Sequence, residues 1–500
     1  MDKTLRHSKK DIIIISVLCL AYLIAGAVAL DYDFYLYAFI PVAVLGVMLI
    51  VMKFYYSVFL VALLTPFSIF FKMEMFSVTV PTEPILILVM FVFLWDCTLS
   101  RNYDTKALHN PISLMIFVNL AWMIVAALFS WDVVVSIKYI ISRLWFVIPC
   151  YFMMVPIFKR PQTIRWFVAL YGFSLSIIII ICSIKFAMLG FAFAEMNQIP
   201  APFYNDHTAY GAAIGLFLPA TLLYTFGNKE LCPNKKYRVL FIFISLCLTV
   251  GFILSYARAT WLSVIVAAGV FVLVYFKINL KMLFSTVAVI AVLALLSWTA
   301  IIQKLELNSQ DSSGNITEHI SSMSNISTDA SNMERINRWA CALRMFKERP
   351  ITGWGPGTYQ FIYGSYQRYS QRTIISTNEG TLGNAHSEYI GPLSEQGLPG
   401  CIIVMVLFGV TIYIGLKTFR TAKDKTTAYT ALFVTLSLIT YYTHGLMNNC
   451  LDSDKLSVPV WAMMAMLASM YTYSEKKQTN ITTQQTEKIN QTKTQNIKTQ

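Results

Sequence analysis

The stretch IRWFVALYGFSLSIIIIICSIKFAML, residues 164–189, decides the class of fold. It carries only two charged side chains, and it exceeds the about 20 apolar residues that a helix needs to cross a bilayer. Runs of this kind recur from residue 11 almost to residue 473, and 56% of the 500 residues are hydrophobic while 13% are charged. This composition excludes an ordinary soluble globule and predicts an all-α, polytopic membrane protein.

The apolar runs predict about 12–14 transmembrane helices. We place the spans at about residues 11–30, 35–52, 54–71, 80–97, 111–130, 142–158, 164–189, 208–226, 239–256, 260–276, 282–302, 399–416, 427–446 and 457–473. The run after MDKTLRHSKK is too long for a signal peptide and lacks a convincing cleavage site, so we expect it to form the first span.

Most Lys and Arg residues fall in loops on one side of this arrangement, which places the N-terminus and those loops in the cytoplasm. The net charge of +13 is therefore mostly an orientation signal, with contacts to anionic membrane lipids. No basic patch interleaved with aromatic residues predicts nucleic-acid binding. Nine cysteines without a CxxC pair predict neither a disulfide framework nor a cysteine metal site.

The alternation of apolar runs and loops divides the chain into five segments. They are N-terminal transmembrane helices at 1–200, transmembrane helices with an Arg258 motif at 201–303, a large outer loop with helices at 304–398, C-terminal transmembrane helices at 399–474 and a disordered cytoplasmic tail at 475–500. Within the loop, a polar segment at 308–332 precedes a helix predicted over 331–350, which opens with a capping box and stops at a proline. The helix has a predicted apolar stripe of Ile336, Trp339, Leu343 and Phe346.

Three arginines on the outer side are candidate anion ligands. Arg258 stands between two apolar runs in LSYARATWLS, and Arg335 and Arg338 lie on the predicted loop helix. A guanidinium is a rigid fork that matches phosphate oxygens. The alternatives are a snorkelling arginine at a helix end for Arg258 and a solvated helix face for the other two.

His386, in GNAHSEYIGPLSEQGLPG, is the best candidate for acid–base chemistry, because the pKa of histidine lies close to neutrality. A histidine merely hydrogen-bonded within a loop is the alternative. Other residues at the outer ends of spans could line the same outer cavity as His386, or they could simply lie at the membrane interface. They are His207, Tyr210, Tyr389 and His444.

The glycines of GWGPGTYQF, at 353, 355 and 357, could expose N–H groups to a pyrophosphate, with a structural turn as the alternative. On this interpretation Gly355 and Gly357 would also line the cavity. There is no P-loop, no HExxH and no cluster of carboxylates with metal spacing, so the sequence predicts neither a metal nor another cofactor.

Three segments together resemble the O-antigen ligase and polymerase family of bacterial envelope-glycan enzymes. They are SYARATWL (255–262), RINRWACALRMFKERPITGWGPGTY (335–359) and AHSEYIGPLSEQGLPG (385–400). In the family, an Arg follows a small residue at the outer end of a span, an Arg four positions before a Trp leads to a GxGxG-like turn, and a His precedes a Gly-rich start of the next helix. The similarity covers roughly residues 200–400, and it departs at Ala257, where a Ser is common, and at Ser387, where an Asn often follows the His.

This resemblance implies a class C type glycosyltransferase fold in the bacterial inner membrane, with an active site that faces the periplasm. It implies that Arg258 and Arg335, with Arg338 beside them, bind the pyrophosphate of a polyprenyl-linked glycan donor, and that His386 activates the acceptor hydroxyl. Transfer would be metal-independent and inverting. The favoured reaction is O-antigen ligation to lipid A core. Polymerisation of the glycan, transfer to protein hydroxyls and, in a different class, transport of a lipid-linked sugar are the alternatives.

Overall fold

The computed structural model describes residues 46–72 except 49, 51 and 53, then 77–100, 103–192, 195–277, 285, 289, 330–368 and 383–473. The chain divides into two compact units, Met1–Ser57 and Val58–Gln500, and the described residues of the first unit are helical. The predicted span at 11–30, most of the spans at 35–52 and 282–302, most of the polar segment at 308–332 and the tail at 475–500 lie outside the described residues.

The described part of the chain is all-α apart from one hairpin, in agreement with the prediction. In chain order the elements are α1 (Phe54–Leu64), β1 (Ile69–Lys72), β2 (Ser77–Val80), α2 (Thr82–Leu99), α3 (Pro111–Leu128), α4 (Val133–Ile157), α5 (Pro161–Met188), α6 (His207–Phe226), α7 (Lys235–Leu254), α8 (Arg258–Tyr275), α9 (Ala330–Glu348), α10 (Tyr359–Ile362), α11 (Ile390–Thr421), α12 (Lys425–His444) and α13 (Asp454–Tyr473). Among the described residues, nine of these helices are long and apolar enough to cross a membrane: α2 to α8, α11 and α13. The protein is therefore a multi-pass membrane protein.

The predicted span at 54–71 is wrong. Helix α1 ends at Leu64, a short 3-10 turn with Pro66 follows, and Ile69–Lys72 then pairs as β1 with β2 in antiparallel register. Proline has no N–H to continue the helical ladder, so the apolar helix ends before it and the rest of the predicted span is not α-helical.

Helix α4 begins nine residues before the predicted span at 142–158. The Asp132 side chain accepts hydrogen bonds from the N–H groups of Val134 and Val135 at 2.9 and 3.1 Å. Because a side-chain acceptor satisfies the unpaired donors of the first turn, it sets the start of a helix. The helix therefore begins at Val133, and Arg143 lies within its first half.

Helix α12 occupies the predicted span at 427–446, although it is less apolar than the nine membrane-crossing helices. It packs against α6, α8 and α11, so its hydroxyl side chains face protein. One of them, Thr440, donates to the carbonyl of Gly215 at 3.1 Å. That carbonyl lies four residues before Pro219, which cannot donate to it, so α12 satisfies a group that the α6 proline leaves unpaired.

Helix α11 begins at Ile390, nine residues before the predicted span at 399–416. Gly397 interrupts it with φ of 70° and ψ of −171°, and a Cβ there would collide with the carbonyl of Ile351. Gly397 therefore forms a kink within the helix. Glu395 and Gln396 lie immediately before this kink, in the first turns of α11.

The loops at 129–132, 255–257 and 445–453 lie at one end of the bundle together with α9 and α10, and we call this the site end. The Trp131 N–H donates to the Trp354 carbonyl at 2.9 Å, and Arg335 donates to the Met447 carbonyl at 3.1 Å. Helix α9 packs against α11. These contacts fix the long loop on the membrane helices.

Candidate functional site

Helix α9 spans Ala330–Glu348, which confirms the helix predicted over 331–350. Its predicted apolar stripe is not its most buried face: Ile336 is buried, but Trp339, Leu343 and Phe346 are only half-buried. The buried face instead carries Glu334, Arg338, Ala342 and Met345. Arg338 Nε lies 2.8 Å from Glu334 Oε1, and this pairing of opposite charges allows a charged face to be buried.

Arg338 has further protein partners. Its Nη1 donates to the carbonyl of Asn384 at 3.2 Å, and its guanidinium lies 5.0 Å from the centroid of the Tyr363 ring. The side chain thus ties α9 to the turn at Tyr363–Tyr366 and to the loop that holds His386. These contacts differ from the predicted donor-binding role, because the guanidinium is buried and engaged by the protein itself, and we leave Arg338 out of the donor-binding set below.

Arg335 lies on a more accessible side of α9. It is half-buried, and its Nε donates to the carbonyl of Met447 in the loop between α12 and α13. This contact holds the arginine near the C-terminal end of α12, where His444 lies.

His386 belongs to the loop at 383–389, which we call the histidine loop. Its φ is 47°, a left-handed conformation that is rare for a residue with a side chain. Its N–H donates to Asn384 Oδ1 at 3.1 Å, and its carbonyl accepts from Trp339 Nε1 at 3.5 Å. The surrounding contacts therefore impose a strained backbone on this residue, as is common at functional sites.

Burial and the neighbouring charges together favour the neutral form of the His386 imidazole. Burial lowers the pKa of His386 to about 4, the positive charges of Arg335 and Arg338 act in the same direction, and Asp206 and Glu334 oppose them. A neutral imidazole can accept a proton at neutral pH, which a general base must do. An anion bound by the nearby arginine would offset the positive charge and raise this pKa again.

His444 is buried at the end of α12. Asn448 Nδ2 lies 3.1 Å from its Nε2, and Thr260 Oγ1 lies 3.4 Å from its Nδ1. Because an amide nitrogen only donates, the ring proton belongs on Nδ1, towards Thr260. Thr260 lies two residues after Arg258, the half-buried first residue of α8. The starts of α8 and α9 and the end of α12 therefore meet at His444.

The start of α6 completes this group. Asp206 caps the helix, and its pKa is lowered because hydrogen bonds from Thr208 and Ala209 and the charge of His207 outweigh the effect of burial. The charges of Arg335, Asp206 and His207 all act on His444. The structure thus brings His207, Arg335, His386 and His444 into one electrostatic neighbourhood at the site end, and the backbone of Arg258 lies two residues before Thr260, which contacts His444.

The remaining predicted cavity-lining residues have mostly packing roles. Tyr210 is buried with its ring 5.6 Å from that of Tyr204, and Tyr389 Oη donates to the carbonyl of Tyr442 at 2.8 Å. The His207 ring contacts Asn197 Oδ1 at 2.5 Å. Gly357 lines a polar cavity that is described below.

The glycines at 353, 355 and 357 form a structural turn, which we call the glycine turn. The N–H groups of Gly353, Trp354 and Gly355 donate to the carbonyls of Arg349, Ser394 and Glu395 at 3.1, 3.1 and 2.8 Å. The Gly357 N–H donates to the Glu395 carboxylate, as does the Tyr359 N–H at 3.0 Å. The interpretation of this turn as a pyrophosphate cradle is therefore wrong, because the protein already uses these donors.

The sequence analysis missed a second polar cluster, on the other side of the histidine loop. Its charged members are Arg143, Glu388, Glu395 and Asp452, and they line a cavity of about 330 Å³. Arg143 was visible as a charge inside a predicted span, which by itself marks a functional candidate. The carboxylates gave no such signal, because Asp452 lies far from Glu388 and Glu395 in the sequence.

The chain is similar to known proteins over part of its length. The family model described as O-antigen ligase matches residues 243–405, a range that includes Arg258, Arg335 and His386. A protein of Haemophilus influenzae whose function is uncharacterised is 25% identical over 198 residues, which are 39% of this chain and 48% of that protein. The chain thus spans about half the length of this relative. The match confirms the predicted resemblance: the chain carries an O-antigen ligase family domain, typical of ligase- or polymerase-type enzymes, within an all-α multi-pass membrane protein.

Proposed function

We propose that the protein is an O-antigen ligase that transfers a glycan from a polyprenyl-pyrophosphate carrier to a hydroxyl of lipid A core. The reaction takes place at the periplasmic face of the bacterial inner membrane. The observation that supports this best is the position of His386, which is held neutral beside Arg335 within the matched domain. A base next to a cation suits a reaction that removes a proton from a hydroxyl and releases an anion.

In the proposed reaction, an imidazole nitrogen of His386 accepts the proton of the acceptor hydroxyl. The acceptor oxygen forms a bond to the anomeric carbon as the bond between that carbon and the pyrophosphate oxygen breaks. The electron pair leaves with the polyprenyl pyrophosphate, and Arg258 and Arg335 stabilise its charge. A single displacement of this kind inverts the anomeric configuration, and the arginines take the charge-stabilising role that a divalent metal has in other transferases.

The test is reconstitution of the purified protein in lipid with a polyprenyl-pyrophosphate glycan. Lipid A core and a second lipid-linked glycan are offered as competing acceptors. We expect transfer to the core alone, unchanged by EDTA. Growth of the lipid-linked chain would instead indicate a polymerase. Movement of the glycan across the bilayer without transfer would indicate a transporter.

His386→Ala should lower kcat/KM by about 10²–10⁴-fold, the usual contribution of a general base. His109→Ala is the matched control, because His109 lies at the opposite end of the bundle in an exposed turn before α3. Full activity of the His386 variant with the true acceptor would refute the proposed mechanism.

A further inference from the structure

The polar cavity on the far side of the histidine loop has no role in the mechanism above. Asn384, Ala385, Ser387 and Glu388, which flank His386 in sequence, line it. Its other walls come from α3, α4, α11 and α13 and from the loop after α12. Its volume of about 330 Å³ lies within the range of small-molecule sites.

The cavity places polar groups among membrane helices. Arg143 Nη2 lies 3.0 Å from Asp452 Oδ1 and 2.6 Å from Tyr139 Oη, and Tyr139 Oη also donates to Asp452 at 3.0 Å. Asn119 of α3 faces the same space. Ionisable side chains within membrane spans are costly, so a structure that keeps them commonly uses them.

Three of the residues that line the cavity each have a buried polar side-chain atom with no hydrogen-bond partner among the described residues. These atoms are the amide oxygens of Gln396 and Asn449 and the indole nitrogen of Trp461. Gln396 and Trp461 are each 3% exposed. An unsatisfied buried polar atom costs about 1–3 kcal/mol, so a ligand that pairs with these atoms would recover that cost.

The three atoms define the chemistry of the ligand. Two are acceptors and one is a donor, and a hydroxyl group can serve both kinds because it donates and accepts. The rings of Tyr139, Tyr359 and Trp461 add apolar walls against which the C–H faces of a sugar can pack. A compact molecule with many hydroxyls and apolar faces fits this combination.

The charges of the cavity argue against an anionic ligand. Glu388, Glu395 and Asp452 line it, and its one arginine is paired with Asp452. Among the described residues that line the cavity, no arginine or lysine is therefore left to pair with a phosphate group, whereas Arg335 lies beside the other side of the histidine loop. The two sides of the loop therefore suit different substrates.

We propose that this cavity binds a neutral, hydroxyl-rich sugar of the acceptor and so positions the acceptor hydroxyl at the histidine loop. The inference rests on the proposed function, since it assigns to that reaction the site for its second substrate. Gln396, Asn449 and Trp461 are the specificity-determining residues. The residues on either side of His386 line the cavity, so a sugar bound there has its acceptor hydroxyl at the histidine loop.

The test uses the full-length protein in nanodiscs and the core oligosaccharide freed from lipid A as the probe. Binding is followed by calorimetry, so no turnover is required. We expect Asn449→Ala and Trp461→Phe each to weaken oligosaccharide binding about fivefold, the value of one hydrogen bond. Binding of the polyprenyl-pyrophosphate donor should be unchanged. Trp95→Phe is the matched control, because Trp95 is an exposed residue of α2.

A second readout separates binding from a merely structural role. Trp461→Phe removes an unpaired buried donor, so the variant should be at least as thermally stable as the parent protein while it binds the sugar less well. In transfer assays, both cavity variants should raise KM for lipid A core and leave KM for the donor unchanged.

The outcomes are distinguishable. Oligosaccharide binding that neither variant weakens would overturn the cavity assignment, even if transfer to lipid A core proceeds normally. A parent protein that transfers glycan but does not bind the free oligosaccharide would overturn it as well, and would leave the cavity to water. Binding that both variants weaken, in a protein without any transfer activity, would support a sugar site and refute the proposed ligase function.

Discussion

The glycine turn at 353–357 and the histidine loop at 383–389 both bend through left-handed backbone, but they use it differently. In the turn, the residues with positive φ are glycines, at 66°, 110° and 79°, and the protein itself binds their N–H groups. In the loop, the residue with positive φ is His386, at 47°, and its side chain lies among charged neighbours. Left-handed glycine here serves close packing, whereas we propose that the strained backbone of His386 holds its imidazole for the reaction.

The largest effect that separates the two regions is expected from Gly355→Ala. Gly355 has φ of 110°, and an added Cβ would collide with the Ser130 side chain. Both the backbone strain and the clash oppose folding, so we expect a loss of folded protein, measured by thermal unfolding and gel filtration in detergent.

Gly269→Ala is the control for this substitution. Gly269 lies in α8 with nothing within 4 Å of an added Cβ, so alanine there should leave stability unchanged or raise it by about 0.5–1 kcal/mol. A Gly355 variant as stable as the Gly269 variant would show that the glycine turn is not a packing element.

Next in size is the effect of Arg338→Ala, which tests the support of the histidine loop. The substitution removes a cation from the buried Glu334 carboxylate and a donor from the Asn384 carbonyl. Loss of one partner of a buried ion pair costs about 3–5 kcal/mol of the free energy of unfolding. The measurement is the shift of the thermal midpoint.

The companion variants identify the cause of that shift. Glu334→Gln combined with Arg338→Gln should recover part of the stability, because it leaves no unpaired buried charge. Arg335→Gln should lower stability less, since Arg335 is less buried, while it lowers glycan transfer. Equal stability losses for the two single arginine variants would contradict the separate roles given to them.

These two regions also show what the sequence could predict. His386 and Arg335 stand in recognisable motifs, and long apolar runs marked helices such as α5 because a lipid-facing surface must be apolar. The early end of α1 followed from Pro66, whose effect the hydropathy pattern does not show. The pairing of Glu334 with Arg338 was hidden because charged residues on a helix are usually solvated.

The polar cavity was beyond prediction for a different reason. Asn119, Arg143, Gln396, Asn449 and Trp461 come from four helices and a loop that are far apart in the sequence. Only the packing of α3 and α4 against α11 and α13 brings them together, and no local pattern encodes that packing. The unsatisfied state of three of these side chains is likewise a property of the assembled bundle.

The smallest expected effect concerns pH, and it tests whether His386 differs from an ordinary loop histidine. Burial and the neighbouring arginines lower the pKa of His386 to about 4 from 6.5. A lowered pKa keeps the base neutral as the pH falls, so at pH 5.5 about 97% of His386 is neutral, against about 9% for an unperturbed histidine. We therefore expect kcat/KM for the donor to change little between about pH 5.5 and 7.5 and to fall only near pH 4 to 5.

Arg335→Gln removes a positive neighbour, so the pKa of His386 should rise and the acid limb of the residual activity should move to higher pH. The measurement is the pH dependence of transfer for the parent protein and for this variant, with Lys347→Gln, an exposed charge near the end of the same helix, as the control. An acid limb near pH 6.5 in the parent protein would mean that the histidine loop holds its imidazole in a solvent-like environment. His386 would then lack the charged surroundings that distinguish its loop from the glycine turn.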